Sequence, residues 1–387
     1  MRLRHPDGTT VHLAYCTNVH PAEELDGIVA QLSRFAEPVR ARLGAGRIGL
    51  GLWLAAPVVT VLDTDPGAVR ALRAELDRRG LEVVTLNAFP YTGFHAPTVK
   101  KAVYRPDWTE PARLAHTLAC ARVLTGLLPA DAARGSVSTL PLAWREPFAP
   151  DRHNLLRRHL DLLAEGLAKI AADTGRSVRV GFEPEPGCLI ETTGQAAGLL
   201  DSVDREWLGV CLDTCHLAVA HEEPGPALAR LAAARLPVVK TQASCAVHVD
   251  RPDDPAARAA VAAFDERRFL HQTREAAAGA PLAVDDLPEA LAGALPAEGP
   301  WRIHYHVPVQ RELPPPLRST RPELTAALTA LLGGGTARTD HVEVETYTWP
   351  VLPGAPTGTD LVDGIAGELA WTRDTLIDLG LTLEDAP

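Results

Sequence analysis

Lysine is nearly missing from this chain of 387 residues: it stands only at Lys100, Lys101, Lys169 and Lys240, while arginine is common, which reads chiefly as codon bias. No basic block occurs anywhere, and the formal net charge is -11. That argues against a nucleic-acid partner, because neutralising phosphates takes clustered Lys or Arg. No CxxC pair exists among Cys16, Cys120, Cys188, Cys211, Cys215 and Cys245, so buried free thiols in a reducing compartment are expected. No apolar run reaches bilayer length. The longest, Ile48 to Leu62, is broken by Pro57, so no membrane span is expected. The opening MRLRHPDGTTVHL lacks the continuous apolar stretch of a signal peptide. A soluble, cytoplasmic protein is the expectation.

What the chain has is a large apolar fraction, 46%, distributed in alternating segments. Short apolar runs predict strands at 11–17, 47–55, 81–88, 135–140, 178–183, 208–213, 237–242, 301–307 and 341–347. Helical spacing falls between them, at 22–42, 66–79, 109–128, 152–173, 195–204, 226–235, 256–278, 321–332 and 360–379. The clearest helix carries Leu155, Leu156, His159, Leu162, Leu163, Leu167 and Ile170 in one stripe and stops at Gly175. Strict alternation implies a parallel sheet, and strands apolar on both faces favour closure into an α/β TIM (β/α)8 barrel. The nine strand candidates exceed the eight places by one. The preferred assignment makes 237–242 strand seven and 341–347 strand eight, with 301–307 an added strand at the rim; the reverse makes 301–307 a barrel strand. On this reading residues 1–387 form a single domain, with a helical insertion at 244–300 between strands seven and eight and a C-terminal helix over 359–380.

Several of these runs end in a carboxylate or an imidazole, where barrels carry their chemistry. Glu183 closes RVGFEPEPG, Asp213 and His216 close LGVCLDTCHLA, and Glu345 lies in HVEVETYTW. His304 and His306 in WRIHYHVPV are two apart, so a strand projects both to one face. Carboxylate plus imidazole without paired thiolates suits one divalent ion, Zn, Mn, Mg, Fe or Co. Each residue also has a plainer reading. Glu183 can be an exposed acid past a strand end, Asp213 a helix cap beside a core histidine, and His304 and His306 an edge strand in water. Glu343 shares a face with Glu345 but lies further from the strand's C-terminal end. Lys240 interrupts an apolar run and shares a face with Gln242; it is either a substrate-binding cation or half of a structural ion pair. Asn18, His20 and Asn87 end strands one and three and are candidate hydroxyl binders. Cys211 and Cys215 read as small packing residues.

Glu after strand five, Asp-x-x-His after strand six and Glu after strand eight together resemble the xylose-isomerase-like barrel superfamily, over roughly residues 10–350. That group includes sugar isomerases and epimerases, hydroxypyruvate isomerase, inosose dehydratase and the endonuclease IV type of nuclease. More narrowly, NAFPYTGFH (87–95), VKKAVYRPDW (99–108), HYHVPV and VETYTWPVLP (344–353) look like the EboE-type metabolite traffic proteins. The superfamily resemblance implies a metal-dependent isomerase or epimerase of a small polyhydroxylated carbonyl compound: a sugar, sugar phosphate or cyclitol. Glu183 and Glu345 match the two metal-bound glutamates that shuttle a proton through an enediolate. Asp213 matches the third ligand, and His216 a substrate-orienting or ligating histidine. Strand seven departs from the pattern, reading Lys240-Thr241-Gln242 where a histidine ligand is usual. Either Gln242 ligates through its carbonyl, or His304 or His306 substitutes, or the site is degenerate. A degenerate site would leave a non-catalytic metabolite-binding or traffic protein. A metal-dependent hydrolase of a small phosphate ester is the other alternative.

Overall fold

The short apolar runs become strands because branched and small residues fill them and turn-forming residues bound them. In the computed structural model, which describes residues 1–145, 149, 151–355 and 359–384, seven of them follow one another around a barrel. These are β1 (Thr10–Cys16), β2 (Ile48–Trp53), β3 (Leu81–Asn87), β4 (Gly135–Thr139), β5 (Val178–Phe182), β6 (Leu208–Asp213) and β7 (Val238–Ala243). The insertion then supplies β8 (Cys245–Val249), β9 (Thr273–Glu275), β10 (Leu282–Val284), β11 (Trp301–Val307) and β12 (Leu317–Ser319). The chain returns as β13 (His341–Val344), which pairs in parallel with both β7 and β1 and closes an eight-stranded parallel barrel. Residues 341–344 are thus the eighth barrel strand, and 301–307 lies outside the barrel, as the preferred assignment has it.

The insertion falls between strands seven and eight, but its helices are short, Pro255–Ala262 and Leu287–Glu289 running on into Ala290–Ala294. The helix expected over 256–278 runs only from Pro255 to Ala262. The rest is organised by an antiparallel sheet in the order β10-β9-β11-β8-β12. Strand β8 follows β7 with only Ser244 between, so this sheet rises directly from the barrel rim. Strand β11 lies at its centre and carries His304 and His306 over the barrel mouth. The helical pattern misled because the alanine-rich start of the segment has period 3.6, and only the pairing of distant strands fixes the remainder.

Helices wrap the barrel. The longest before the C-terminus, Arg152–Thr174, ends at Gly175, whose φ of 67° is the left-handed conformation that glycine adopts without a Cβ penalty. It buries Leu156, His159, Leu160, Leu163, Leu167 and Ile170, but Leu155 and Leu162 face solvent, so the stripe is narrower than the sequence suggests. The C-terminal helix is Thr359–Asp378. Its buried Glu368 accepts from Thr346 Oγ1 at 2.6 Å and Trp349 Nε1 at 2.8 Å, tying the helix to the segment after β13. Among the described residues no helix is long and apolar enough to cross a membrane.

The barrel interior is polar for a TIM barrel. Lys240 and Glu343 form an ion pair in which neither side chain is exposed, and Ser138 Oγ lies 3.4 Å from the ammonium. Room for it comes from Gly51: a Cβ there would sit 1.3 Å from Glu343 Oε1.

A candidate metal centre at the barrel rim

Strand ends place the acids. Glu183 follows β5, and its N–H bonds to Thr139 O at 3.0 Å. Asp213 ends β6 and begins the short helix Thr214–Val219. The helix-cap reading of Asp213 accounts for one of its two oxygens. Its Oδ1 caps that helix, accepting from His216 N at 2.8 Å and Ser244 Oγ at 2.8 Å. Its Oδ2 is buried and has no partner. Glu345 Oε1 accepts from Asn18 Nδ2 at 2.7 Å and from Asn87 Nδ2 at 3.0 Å. Glu183, Asp213 and Glu345 each offer an oxygen within 4.8 Å of the others. All three are at most 3% exposed, so none is the solvent-facing acid of the plainer reading.

Three histidines crowd the same place, and hydrogen bonds fix their ring protons. His306 Nδ1 donates to Glu345 O at 2.8 Å, and His216 Nδ1 donates to Pro184 O at 2.9 Å. Gln272 Nε2 donates to Pro186 O at 2.8 Å, which turns its Oε1 toward His304 Nδ1, also at 2.8 Å. Carbonyl oxygens only accept, so all three Nδ1 atoms carry protons and all three Nε2 atoms present lone pairs. His306 Nε2 is buried without a partner, 4.0 Å from the equally orphaned Asp213 Oδ2. That gap is too long for a hydrogen bond and fits two ligands each about 2.0–2.2 Å from one ion. His216 Nε2 and His304 Nε2 face each other at 3.0 Å, lone pair to lone pair, an approach that a cation beside them would relieve. Further triads with ligand atoms within 4.8 Å are Asp213, His216 and His306, and Cys215, His304 and His306.

The electrostatics agree with that geometry. Burial, then the charges of Glu345 and Asp213, push the Glu183 pKa well above the usual carboxylate range. Burial, then Asp213 and Glu343, do the same to Glu345. Burial holds His304 well below the ordinary imidazole value and lowers His306, and it brings His216 to about 4. Gathered acids with no free counter-charge, beside neutral imidazoles with their lone pairs turned inward, form a donor set suited to a divalent cation.

Two sequence candidates belong elsewhere. His20 stacks on Phe35 at 4.3 Å and meets Tyr15 through its Nε2 at 3.2 Å; it is a core histidine and does not line the chamber. Lys240 does not reach the chamber either. Burial alone would lower its pKa, but the Glu343 carboxylate more than offsets this, so the ammonium is kept charged by the chain's own acid. Of its two readings, the ion pair is the one that holds. Gln242, one layer nearer the rim, is fully buried with neither amide atom paired. Asn18 and Asn87 line the chamber but spend amide hydrogens on Glu345.

The sequence reading missed Glu185, Tyr104, Gln272 and Tyr347. Glu185 lines the chamber, accepts from Tyr104 OH at 2.6 Å, and is pushed by burial to a pKa of about 8. Its signal was its place in Glu-Pro-Glu-Pro, two residues beyond Glu183, as Tyr347 lies two beyond Glu345. Tyr104 and Gln272 gave no signal, because long loops bring them in.

A closed parallel barrel with acids at the C-terminal ends of its strands and imidazoles gathered beside them defines the class. The family model described as xylose isomerase-like TIM barrel matches residues 41–258, more than half of the chain, and the chain belongs to that family. Among solved structures, D-psicose 3-epimerase with D-tagatose from Clostridium cellulolyticum H10 is 13% identical. The alignment covers 94% of this chain and 99% of that one, with a TM-score of 0.52. A putative sugar phosphate isomerase/epimerase from Anabaena variabilis is also 13% identical, covering 95% and 99%, with a TM-score of 0.50. At such identity the likeness is one of fold. No curated protein matches the sequence.

Proposed function

We propose that this protein is a divalent-metal-dependent isomerase or epimerase of a small polyhydroxylated carbonyl compound. The observation that carries the reading is the meeting of Glu183, Asp213 and Glu345 within 4.8 Å, with Glu183 Oε2, Asp213 Oδ2 and His306 Nε2 buried and unpaired around the same spot. Those residues would hold the ion, with His216 and His304 beside them and the Gln242 carbonyl in the place left by strand seven. His306 reaches the site from the insertion, so the ligand set is completed from outside the barrel. The ion, one of Zn, Mn, Mg, Fe or Co, supplies Lewis acidity toward substrate oxygens.

The chain's own groups do the rest. Glu183 and Glu345 stand as acid and base for a proton moving between adjacent carbons through an enediolate. Asn18 and Asn87 hold the Glu345 carboxyl by one oxygen and leave the other for the reaction. His216, locked by Pro184 O, orients a substrate oxygen. Phe94, Phe269 and Tyr347 line the chamber beside the acids. Six unpaired, buried cysteines support a reducing, cytoplasmic setting.

The test is exchange of solvent deuterium into a panel of ketoses and inososes. Exchange next to the carbonyl is expected with the wild type and should vanish in Glu183→Gln. Elemental analysis of untagged protein should find stoichiometric metal, lost in the Glu183→Ala, Asp213→Ala double variant. Metal retained by that variant, or no exchange with any compound, would count against the reading.

A further inference from the structure

The chamber above the carboxylates has two unlike halves. Its floor is polar, built from Glu183, Glu185, Glu345 and the histidines. Its walls are Phe89, Pro90, Phe94, Val103, Phe269 and Leu270. Among the described residues the one lysine or arginine that lines it is Lys100, and that ammonium is bonded to Asp286 at 2.6 Å.

The walls come from two separate segments fastened together over the site. The N–H groups of Val99 and Lys100, from the loop after β3, both donate to Arg268 O in the insertion, at 2.7 and 2.9 Å. The Phe94 and Phe269 rings meet at 5.1 Å, and both lie against Tyr347, at 5.3 and 4.9 Å. These rings belong to a small apolar cluster apart from the main core. The space beneath them, about 50 Å³, holds little beyond an ion and waters, so a ligand must part the rings.

What parts them must suit them. A hydroxyl pressed against the Phe94 and Phe269 rings meets carbon alone, and an unpaired buried hydroxyl disfavours binding. Among the lining side chains a phosphate finds only the Lys100 ammonium, already bonded to Asp286, and faces three glutamates; the Arg268 guanidinium, 5.9 Å from the Phe269 ring, lies outside that lining. An apolar group replaces the contact of Phe94 with Phe269 by contacts of the same kind.

We infer that the substrate is an uncharged polyhydroxylated carbonyl compound bearing an apolar substituent, its hydroxylated end on the acidic floor and its substituent between Phe94 and Phe269. This rests on the isomerase reading and narrows its substrate class, setting sugar phosphates aside.

The experiment is isothermal titration of the full chain, supplied with Mn(II), with D-fructose, its monophosphates and its mono-O-benzyl ethers. At least one benzyl ether is expected to bind about tenfold or more tighter than fructose, and every monophosphate more weakly than fructose. Phe269→Ser should erase the benzyl gain, so that the benzyl ethers bind that variant no tighter than fructose does. Phe94→Ser serves the same purpose should the first variant fold poorly, as its melting curve will report. The inference is overturned by a monophosphate that outbinds fructose, by benzyl ethers that gain nothing, or by a gain that survives both substitutions. Fructose binding without a benzyl gain sinks this inference alone. No binding by any member of the series, together with no deuterium exchange across the ketose and inosose panel, sinks the isomerase reading with it.

Discussion

Replacing Lys240 by Met should destabilise the protein without emptying its rim site. The ammonium and the Glu343 carboxylate are wholly buried and paired with each other, and Glu343 Oε1 already lacks a partner. Met matches the lysine stem in volume but leaves a carboxylate enclosed by the barrel with no cation. Breaking a buried pair from one side costs about 3–5 kcal/mol. At roughly 2.1 cal/mol/K of unfolding entropy per residue, a chain this long should melt about 4–6 °C lower. The companion variant is the decisive one. Lys240→Met with Glu343→Leu removes both charges, and a buried pair replaced by apolar groups is often neutral or stabilising by about 1–4 kcal/mol. Differential scanning calorimetry of wild type, both single variants and the double variant reads the coupling directly. If Lys240→Met melts with wild type, or the double variant melts no higher than the single ones, the pair does not hold the barrel together. If Lys240→Met keeps its melting point and loses ligand affinity, the lysine serves the site after all.

Three other outcomes follow from particular contacts. Gln242→His puts an imidazole beside the orphaned Asp213 and Glu183 oxygens, so metal should be held tighter by roughly tenfold against a competing chelator; weaker retention would show that Gln242 does not face the ion. Burial lowers the His20 pKa from 6.5 to about 3, so its neutral form adds stability above pH 6.5 that is lost as pH falls toward 3, at about 1.4 kcal/mol per pH unit. His20→Phe should therefore flatten the urea-unfolding stability curve between pH 6 and 4 by about one proton, and an unchanged slope would mean that His20 ionises in the folded chain. Gly51→Ala sets a methyl against the Glu343 carboxylate and should cost about 1–3 kcal/mol in chemical denaturation, whereas a neutral result would mean that the carboxylate moves aside freely.

The sequence by itself determined the barrel and the acids on its rim. Strand and helix announce themselves by local period, and an acid that closes a buried run is visible without knowing what it meets. Glu183, Asp213 and Glu345 were legible in this way, and the parallel barrel brings their strand ends to one rim. His304 and His306 were legible as a pair because two residues on a strand share a face. Only the tertiary structure decided what each polar group meets. Lys240 and Glu343 lie 103 residues apart, and no pattern near either one reveals the other. The insertion's sheet depended on pairing β8, β9 and β11 across long loops, so the stretch after Ala262 read as a continuation of the alanine-rich helix. Asp213 divides its two oxygens between a helix cap and the site, which takes atoms, not residue types, to see. Phe94 and Phe269 were ordinary apolar residues in the sequence, and they became the chamber's walls because two distant segments close over the acids. Local periodicity is written residue by residue along the chain, whereas the partner of a buried charge is set by contacts that exist only once the chain has folded.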